Sequence, residues 1–130
     1  MPKRWVAGMG SLVASVVLLT ACGSGPTVYD AGNTASAMRH AGWTAKSTAG
    51  MQTYTGARQV AYLETTAPDG AQIDLQFLSS ASDASAEYTA AHSHGYGGAV
   101  VANVLIVAHT TYQTVTAGDL NDVEGLLRTQ

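Results

Sequence analysis

The feature that most constrains the fold is a pair of strand-like segments joined by a tight turn. Residues 71–78 alternate apolar and polar side chains, as a strand with one buried face does, and residues 59–66 precede them. Between the two lies Ala67-Pro68-Asp69-Gly70, in which proline and glycine fit a type I turn followed by a bulge. The pattern predicts a β-hairpin in which Leu63 faces Leu75, so that both apolar sets share one side of the sheet.

Three segments carry the spacing of helices. The first runs from Asp30 to Ala41 and is followed by Gly42, which suits a left-handed residue after a helix end. The second runs from Ser79 to Ala91. The third begins at the capping box Thr116-Ala117-Gly118-Asp119 and continues with apolar residues on one face.

The remaining apolar segment, Ala99 to Ala108, is rich in valine and contains one polar residue, Asn103. It is predicted to form a single central strand covered on both faces. The order helix, hairpin, helix, strand, helix indicates an α+β fold. We expect a two-layer sandwich with a mostly antiparallel sheet of three or four strands and helices packed mainly on one face.

The N-terminus has the pattern of an export signal. Lys3 and Arg4 are followed by an uncharged run from Trp5 to Leu19. Fifteen residues are short for a membrane-spanning helix, because crossing a hydrocarbon core takes about 20. A signal peptide is therefore favoured over the alternative, a permanent transmembrane helix.

The end of this run, Leu19-Thr20-Ala21-Cys22, resembles the lipobox of bacterial lipoproteins. The resemblance implies cleavage before Cys22 and attachment of a lipid to the Cys22 thiol, which belongs to the sole cysteine in the chain. Two or three acyl chains anchor a protein stably. The chain then divides into a cleaved signal peptide, 1–21, a lipidated tether, 22–28, and one α+β domain, 29–130. The implied location is the outer face of the cell membrane.

Composition limits the partners of the mature chain. Removal of residues 1–21 takes away Lys3 and Arg4 and changes the formal charge from −3 to −5. An acidic domain is a poor ligand for nucleic acid, so no nucleic-acid partner is expected. The expected partners are the membrane, through acyl chains on Cys22, and an envelope protein of unknown identity.

A metal site is one interpretation of the histidines. His92 and His94 project to the same side of an extended segment, and His109 or Glu87 would supply a third ligand. The alternative is that His92 and His94 lie at the end of a helix, where the helix dipole favours a cation. No other cofactor is expected.

Other candidate site residues also have more than one interpretation. Asn103 in an apolar strand marks a bulge, a ligand contact or a structural hydrogen bond to a neighbouring loop, because a buried amide needs partners. Glu64 and Asp74 face each other in the predicted hairpin register, either as a carboxylate pair of perturbed pKa or as solvated charges on its wet face. The tyrosines either line a groove or fill an alanine-rich core.

No catalytic nucleophile motif is found in the sequence, and an enzyme is not expected. The domain resembles small actinobacterial lipoproteins of unknown role in the order of its elements, which implies no activity. The first functional hypothesis is a protein-interaction module held near the membrane. The second is a lipoprotein that binds a small ligand or a metal and delivers it to a membrane partner.

Overall fold

The computed structural model describes residues 28–50 and 52–130. Within those ranges the chain forms three helices and five strands. In chain order they are α1 (Ala31–His40), β1 (Thr44–Ser47), β2 (Gln59–Thr66), β3 (Gln72–Leu78), α2 (Ala81–Ser93), β4 (Gly98–Val101), β5 (Val104–Ala108) and α3 (Ala117–Arg128). The predicted signal peptide and the Cys22 lipid site lie outside the described residues.

The strands form one antiparallel sheet in the order β1-β2-β3-β5-β4. The α+β class and the antiparallel sheet are therefore confirmed. The described part of the chain contributes five strands, where three or four were expected. The fifth strand arises because the segment predicted as a single central strand forms both β4 and β5.

The β2–β3 hairpin has the predicted register. Leu63 pairs with Leu75, and Ala61 pairs with Phe77. At the turn, the backbone N–H of Gly70 donates to the carbonyl of Ala67 over 2.9 Å, and Gly70 has φ of 95°. This is the left-handed glycine that a type I turn with a bulge requires.

The helices cover the two faces of the sheet unequally. Side chains of α1 and α3 pack in one apolar core with Leu75 and Ile106. Side chains of α2 pack in a second core with Leu78 and Leu105, which lie on the opposite face because strand side chains alternate. Two of the three described helices thus share one face, and α2 adds a layer over β3, β5 and β4.

The helix ends follow the sequence signals. Asp30, Ser80 and Thr116 cap the three N-termini, and each side chain accepts a hydrogen bond from the backbone N–H three residues later. At the end of α1, the backbone N–H of Trp43 donates to the carbonyl of Met38 over 2.9 Å. With Gly42 at φ of 90°, this is a Schellman ending.

The prediction of one strand from Ala99 to Ala108 is wrong. The chain turns at Ala102-Asn103, so that β4 and β5 form a second hairpin in which Val101 pairs with Val104. Ala102 adopts a left-handed φ of 52°. The apolar run has no glycine at this turn, so the sequence gives no strong local signal of the reversal. The buried hydrogen bonds of Asn103 stabilise the turn.

Candidate functional site

The candidate site centres on Asp74, in the middle of β3. Its side chain is buried, with the residue only 4 % exposed, so the prediction of a solvated charge on a wet face is wrong. The hydroxyl of Tyr62 donates a hydrogen bond to Oδ2 of Asp74. Nδ1 of His109 lies 3.1 Å from both carboxylate oxygens of Asp74.

The register of the sheet brings these three residues together. Glu64 pairs with Asp74, so Tyr62, two residues earlier on β2, is a diagonal neighbour of Asp74 on the same face. On the other side, Ala108 pairs with Ile73, and the backbone N–H of His109 donates to the carbonyl of Gln72 over 3.3 Å. His109 is therefore the second diagonal neighbour of Asp74.

The surroundings of Tyr62 disfavour its ionised form. Burial raises the pKa of the Tyr62 hydroxyl well above its usual value of 10.0, and the hydrogen bond and negative charge of Asp74 raise it further. Tyr62 therefore acts as a hydrogen-bond donor to Asp74. The trio is a buried carboxylate held by a phenol on one side and an imidazole on the other.

A second buried carboxylate, Glu87, projects from α2. The residue is 1 % exposed. Its Oε2 accepts from the backbone N–H of Tyr54 over 2.9 Å, and Oε1 accepts from the backbone N–H and the hydroxyl of Thr55 over 3.0 and 2.9 Å. Glu87 thereby fastens the loop between β1 and β2 to the helix.

A cavity of about 140 Å³ lies between α2, this loop and the sheet, and we call it the Asp74 cavity. Its size suits a small molecule, because pockets for drug-sized ligands are larger. Three tyrosines, two carboxylates, two glutamines and a histidine line it together with apolar side chains: Gln52, Tyr54, Tyr62, Asp74, Gln76, Glu87, Ala91, Tyr96, Val107, Ala108 and His109. No lysine or arginine belongs to this lining, whose members all lie within the described residues.

Tyr54 and Tyr96 meet at this cavity. Partial burial raises the pKa of Tyr54, and the neighbouring Tyr96 and Glu87 raise it further. The ring of Tyr54 also stacks on that of His94, with ring centroids 4.0 Å apart. Aromatic side chains from the loop and from the segment after α2 thus close one side of the cavity.

The structure does not bring the three predicted metal ligands together. His92 and His94 lie at the C-terminal end of α2, where Nδ1 of His94 is 2.8 Å from the carbonyl oxygen of Ala90. His109 is paired with Asp74 instead. Across residues 28–50 and 52–130, no group of three His, Cys, Asp or Glu side chains is placed to hold a metal ion.

Asn103, the predicted ligand contact, lies away from this lining and makes structural hydrogen bonds. Its Oδ1 accepts from the backbone N–H of Tyr29 over 2.7 Å. Its Nδ2 donates to the carbonyl oxygens of Tyr29 and Leu78 over 3.2 and 3.1 Å. The amide therefore ties the segment before α1 to the sheet.

Comparison with protein-family models, with curated proteins and with solved structures found no match for this chain. The fold and the site therefore stand on their own geometry. None of the helices in the described ranges is both long and apolar enough to span a membrane.

Proposed function

We propose that this chain is an exported, lipid-anchored domain that binds a small molecule in the Asp74 cavity. The observation that carries the proposal is the convergence of two buried carboxylates, from the sheet and from α2, on one cavity lined by tyrosines. An apolar cavity with a few convergent polar groups is the usual form of a small-molecule site. Of the two functional hypotheses, this supports the ligand-binding lipoprotein over the protein-interaction module.

The proposed anchor would keep the cavity near the membrane. Five residues separate Cys22 from Val28, the first described residue, and the six Cα–Cα steps between them span about 20 Å when the chain is extended. A bound molecule would then be held within reach of a membrane partner. The role that follows is capture and presentation of a small ligand, without chemical conversion.

The anchor is tested by the intact mass of the protein extracted from membranes of a host that processes lipoproteins. We expect the mass of residues 22–130 plus acyl chains. We expect the Cys22→Ser variant to remain uncleaved or to be released without lipid. An acylated, membrane-bound Cys22→Ser protein would contradict the anchor and would leave ligand binding in the cavity unaffected.

Ligand binding is tested by the melting temperature of the full chain, kept in mild detergent, against a panel of small metabolites of every charge class. A true ligand raises the melting temperature in a dose-dependent way. We expect Ala91→Leu, which adds bulk to the cavity lining, to abolish that rise. The same substitution at exposed Ala86, on the same helix, should preserve it.

Two results would contradict small-ligand binding. One is a panel in which no compound of any charge raises the melting temperature of the wild-type chain. The other is an equal rise in the wild type, in Ala91→Leu and in Ala86→Leu, which would place the binding elsewhere on the molecule.

A further inference from the structure

The two carboxylates of the cavity lack a permanent counter-ion. Buried aspartate and glutamate are normally paired with a cationic side chain. In the described ranges, Asp74 forms an ion pair with His109, whose side chain is 39 % exposed and which carries a charge only when protonated. Glu87 is held by backbone N–H groups and the Thr55 hydroxyl, with no ion pair. Within the part of the chain that the structure describes, neither carboxylate forms an ion pair with a lysine or an arginine.

The other polar groups of the cavity also favour positive charge. Tyr54, Tyr62 and Tyr96 line it from the loop, from β2 and from the segment after α2. Tyrosine rings attract cations, and they do so more strongly where water is excluded. The phenols and glutamines offer a cation hydrogen-bond acceptors, whereas an anion would meet the like charges of Asp74 and Glu87.

We propose that the Asp74 cavity binds a small organic cation, an ammonium group carried on a short aliphatic chain. The inference rests on the proposed small-ligand function and names the ligand class for the same site. The ammonium supplies a positive counter-charge to Asp74 and Glu87, and the short chain packs on Ala91 and Val107, two of the apolar residues in the lining. A small site with aromatic and acidic walls selects such a group by charge and by size.

The deciding experiment compares ligands of one shape and different charge. The full chain, in mild detergent, is titrated with choline, with ethanolamine and with 3,3-dimethylbutan-1-ol, which has the shape of choline and no charge. Protein-observed NMR follows each titration up to a ligand concentration of about 10 mM, which corresponds to a binding free energy of about −3 kcal/mol. We expect choline or ethanolamine to bind at least tenfold more tightly than the uncharged alcohol.

Two matched pairs of variants locate the binding. Asp74→Asn removes one charge at the cavity, and Asp122→Asn removes one charge at an exposed position of α3. We expect only Asp74→Asn to weaken cation binding, by fivefold or more, while binding of the alcohol is unchanged. Tyr54→Leu covers the case in which Asp74→Asn fails to fold. It should weaken cation binding likewise, whereas Tyr112→Leu, at a residue 96 % exposed, should not.

The outcomes separate this inference from the function on which it rests. Equal or tighter binding of the alcohol, or no binding of either cation at about 10 mM, overturns the ammonium ligand. The proposed function survives that result if another panel compound raises the melting temperature in a way that Ala91→Leu abolishes. An equal response to calcium chloride would assign the cavity to a metal ion and would also overturn the ammonium ligand.

A final arm distinguishes a free cation from a lipid headgroup. In glycerophosphocholine the same ammonium group is followed by a phosphate, which would approach the same carboxylates. If glycerophosphocholine binds more weakly than choline, the ligand is a free cation. If it binds equally or more tightly, the ligand is a lipid headgroup. Either result supports an ammonium ligand, and failure of both compounds, together with ethanolamine, overturns it.

Discussion

Tyr62 on β2 donates a hydrogen bond to Asp74 on β3, and both residues are buried, with exposures of 3 % and 4 %. The pair fixes a carboxylate at the floor of the cavity. We predict that Tyr62→Phe lowers the free energy of unfolding by about 1–3 kcal/mol, because it leaves one acceptor position of a buried charge unfilled. Urea unfolding measures this change. An unchanged free energy of unfolding would show that the hydrogen bond contributes nothing.

The raised pKa of Tyr62 predicts a loss of stability at alkaline pH. The unfolded chain releases this proton near pH 10.0, whereas the folded chain keeps it to higher pH. The contribution of Tyr62 is therefore complete below pH 10 and is lost above it, by about 1.4 kcal/mol per pH unit. Unfolding curves between pH 9 and 11 should show the gap between wild type and Tyr62→Phe narrowing, since phenylalanine does not titrate. If the difference in free energy of unfolding between the two proteins stayed constant over this pH range, the raised pKa of Tyr62 would be contradicted.

Glu87 should control the loop that closes the cavity. In Glu87→Gln an amide N–H₂ replaces an oxygen that accepts a backbone N–H, so a donor faces a donor. We predict faster amide hydrogen exchange at Tyr54 and Thr55, and a loss of about 1–3 kcal/mol in stability. Glu124→Gln, which breaks the surface pair with Arg128, is the control and should leave exchange in this loop unchanged. If the Tyr54 and Thr55 amides exchanged equally slowly in both variants, the role of Glu87 in holding this loop would be contradicted.

Asn103 should behave as a structural residue. Asn103→Asp keeps an acceptor for the backbone N–H of Tyr29 and removes both donations from Nδ2. We predict a loss of about 2–4 kcal/mol, because two carbonyl oxygens then face a buried charge. Differential scanning calorimetry should show a lower melting temperature without ligand and, if the variant folds, unchanged ligand affinity. If a stably folded Asn103→Asp variant bound the ligand more weakly, Asn103 would belong to the binding site.

Ala102→Gly should stabilise the protein. Ala102 has φ of 52°, a region in which an L side chain is strained by about 1–2 kcal/mol and glycine is not. The greater freedom of glycine in the unfolded chain offsets about 0.5–1 kcal/mol of that gain. We therefore predict that the free energy of unfolding, measured with urea, increases by about 0.5–1 kcal/mol. Ala99→Gly, in the adjoining strand β4, should destabilise instead.

The elements with strong local signals were predictable from the sequence. The hairpin register follows from the alternation around Leu75 and from Pro68 and Gly70 at the turn, and the structure has that register. The capping box at Thr116 is equally local. In each case a few neighbouring residues determine the backbone, so no knowledge of the tertiary structure is needed.

The second hairpin could not be predicted in the same way. Ala102 and Asn103 form a turn that neither residue signals strongly, inside an apolar run that fits one long strand equally well. The reversal is stabilised by contacts of Asn103 with Tyr29 and Leu78, which are 74 and 25 residues away in the chain. Such contacts are tertiary and leave no periodicity in the sequence.

The candidate site was partly visible in the sequence. The alternation placed Asp74 on the face opposite the Leu75 core, which is correct, but that face was expected to be wet. Helix α2 and the loop before β2 cover it, and neither position follows from local pattern. The signal that sequence reasoning missed is Tyr62 two residues from Glu64, which the predicted register already placed diagonal to Asp74.

Intermolecular nuclear Overhauser effects between choline and the full chain would show directly whether the Asp74 cavity holds a small cation. The N-methyl protons of bound choline should show contacts with ring protons of Tyr54 and Tyr96, which line the cavity. These contacts should disappear in Ala91→Leu. Contacts with only exposed side chains such as Val60 and Tyr112, or contacts that persist in Ala91→Leu, would contradict the account.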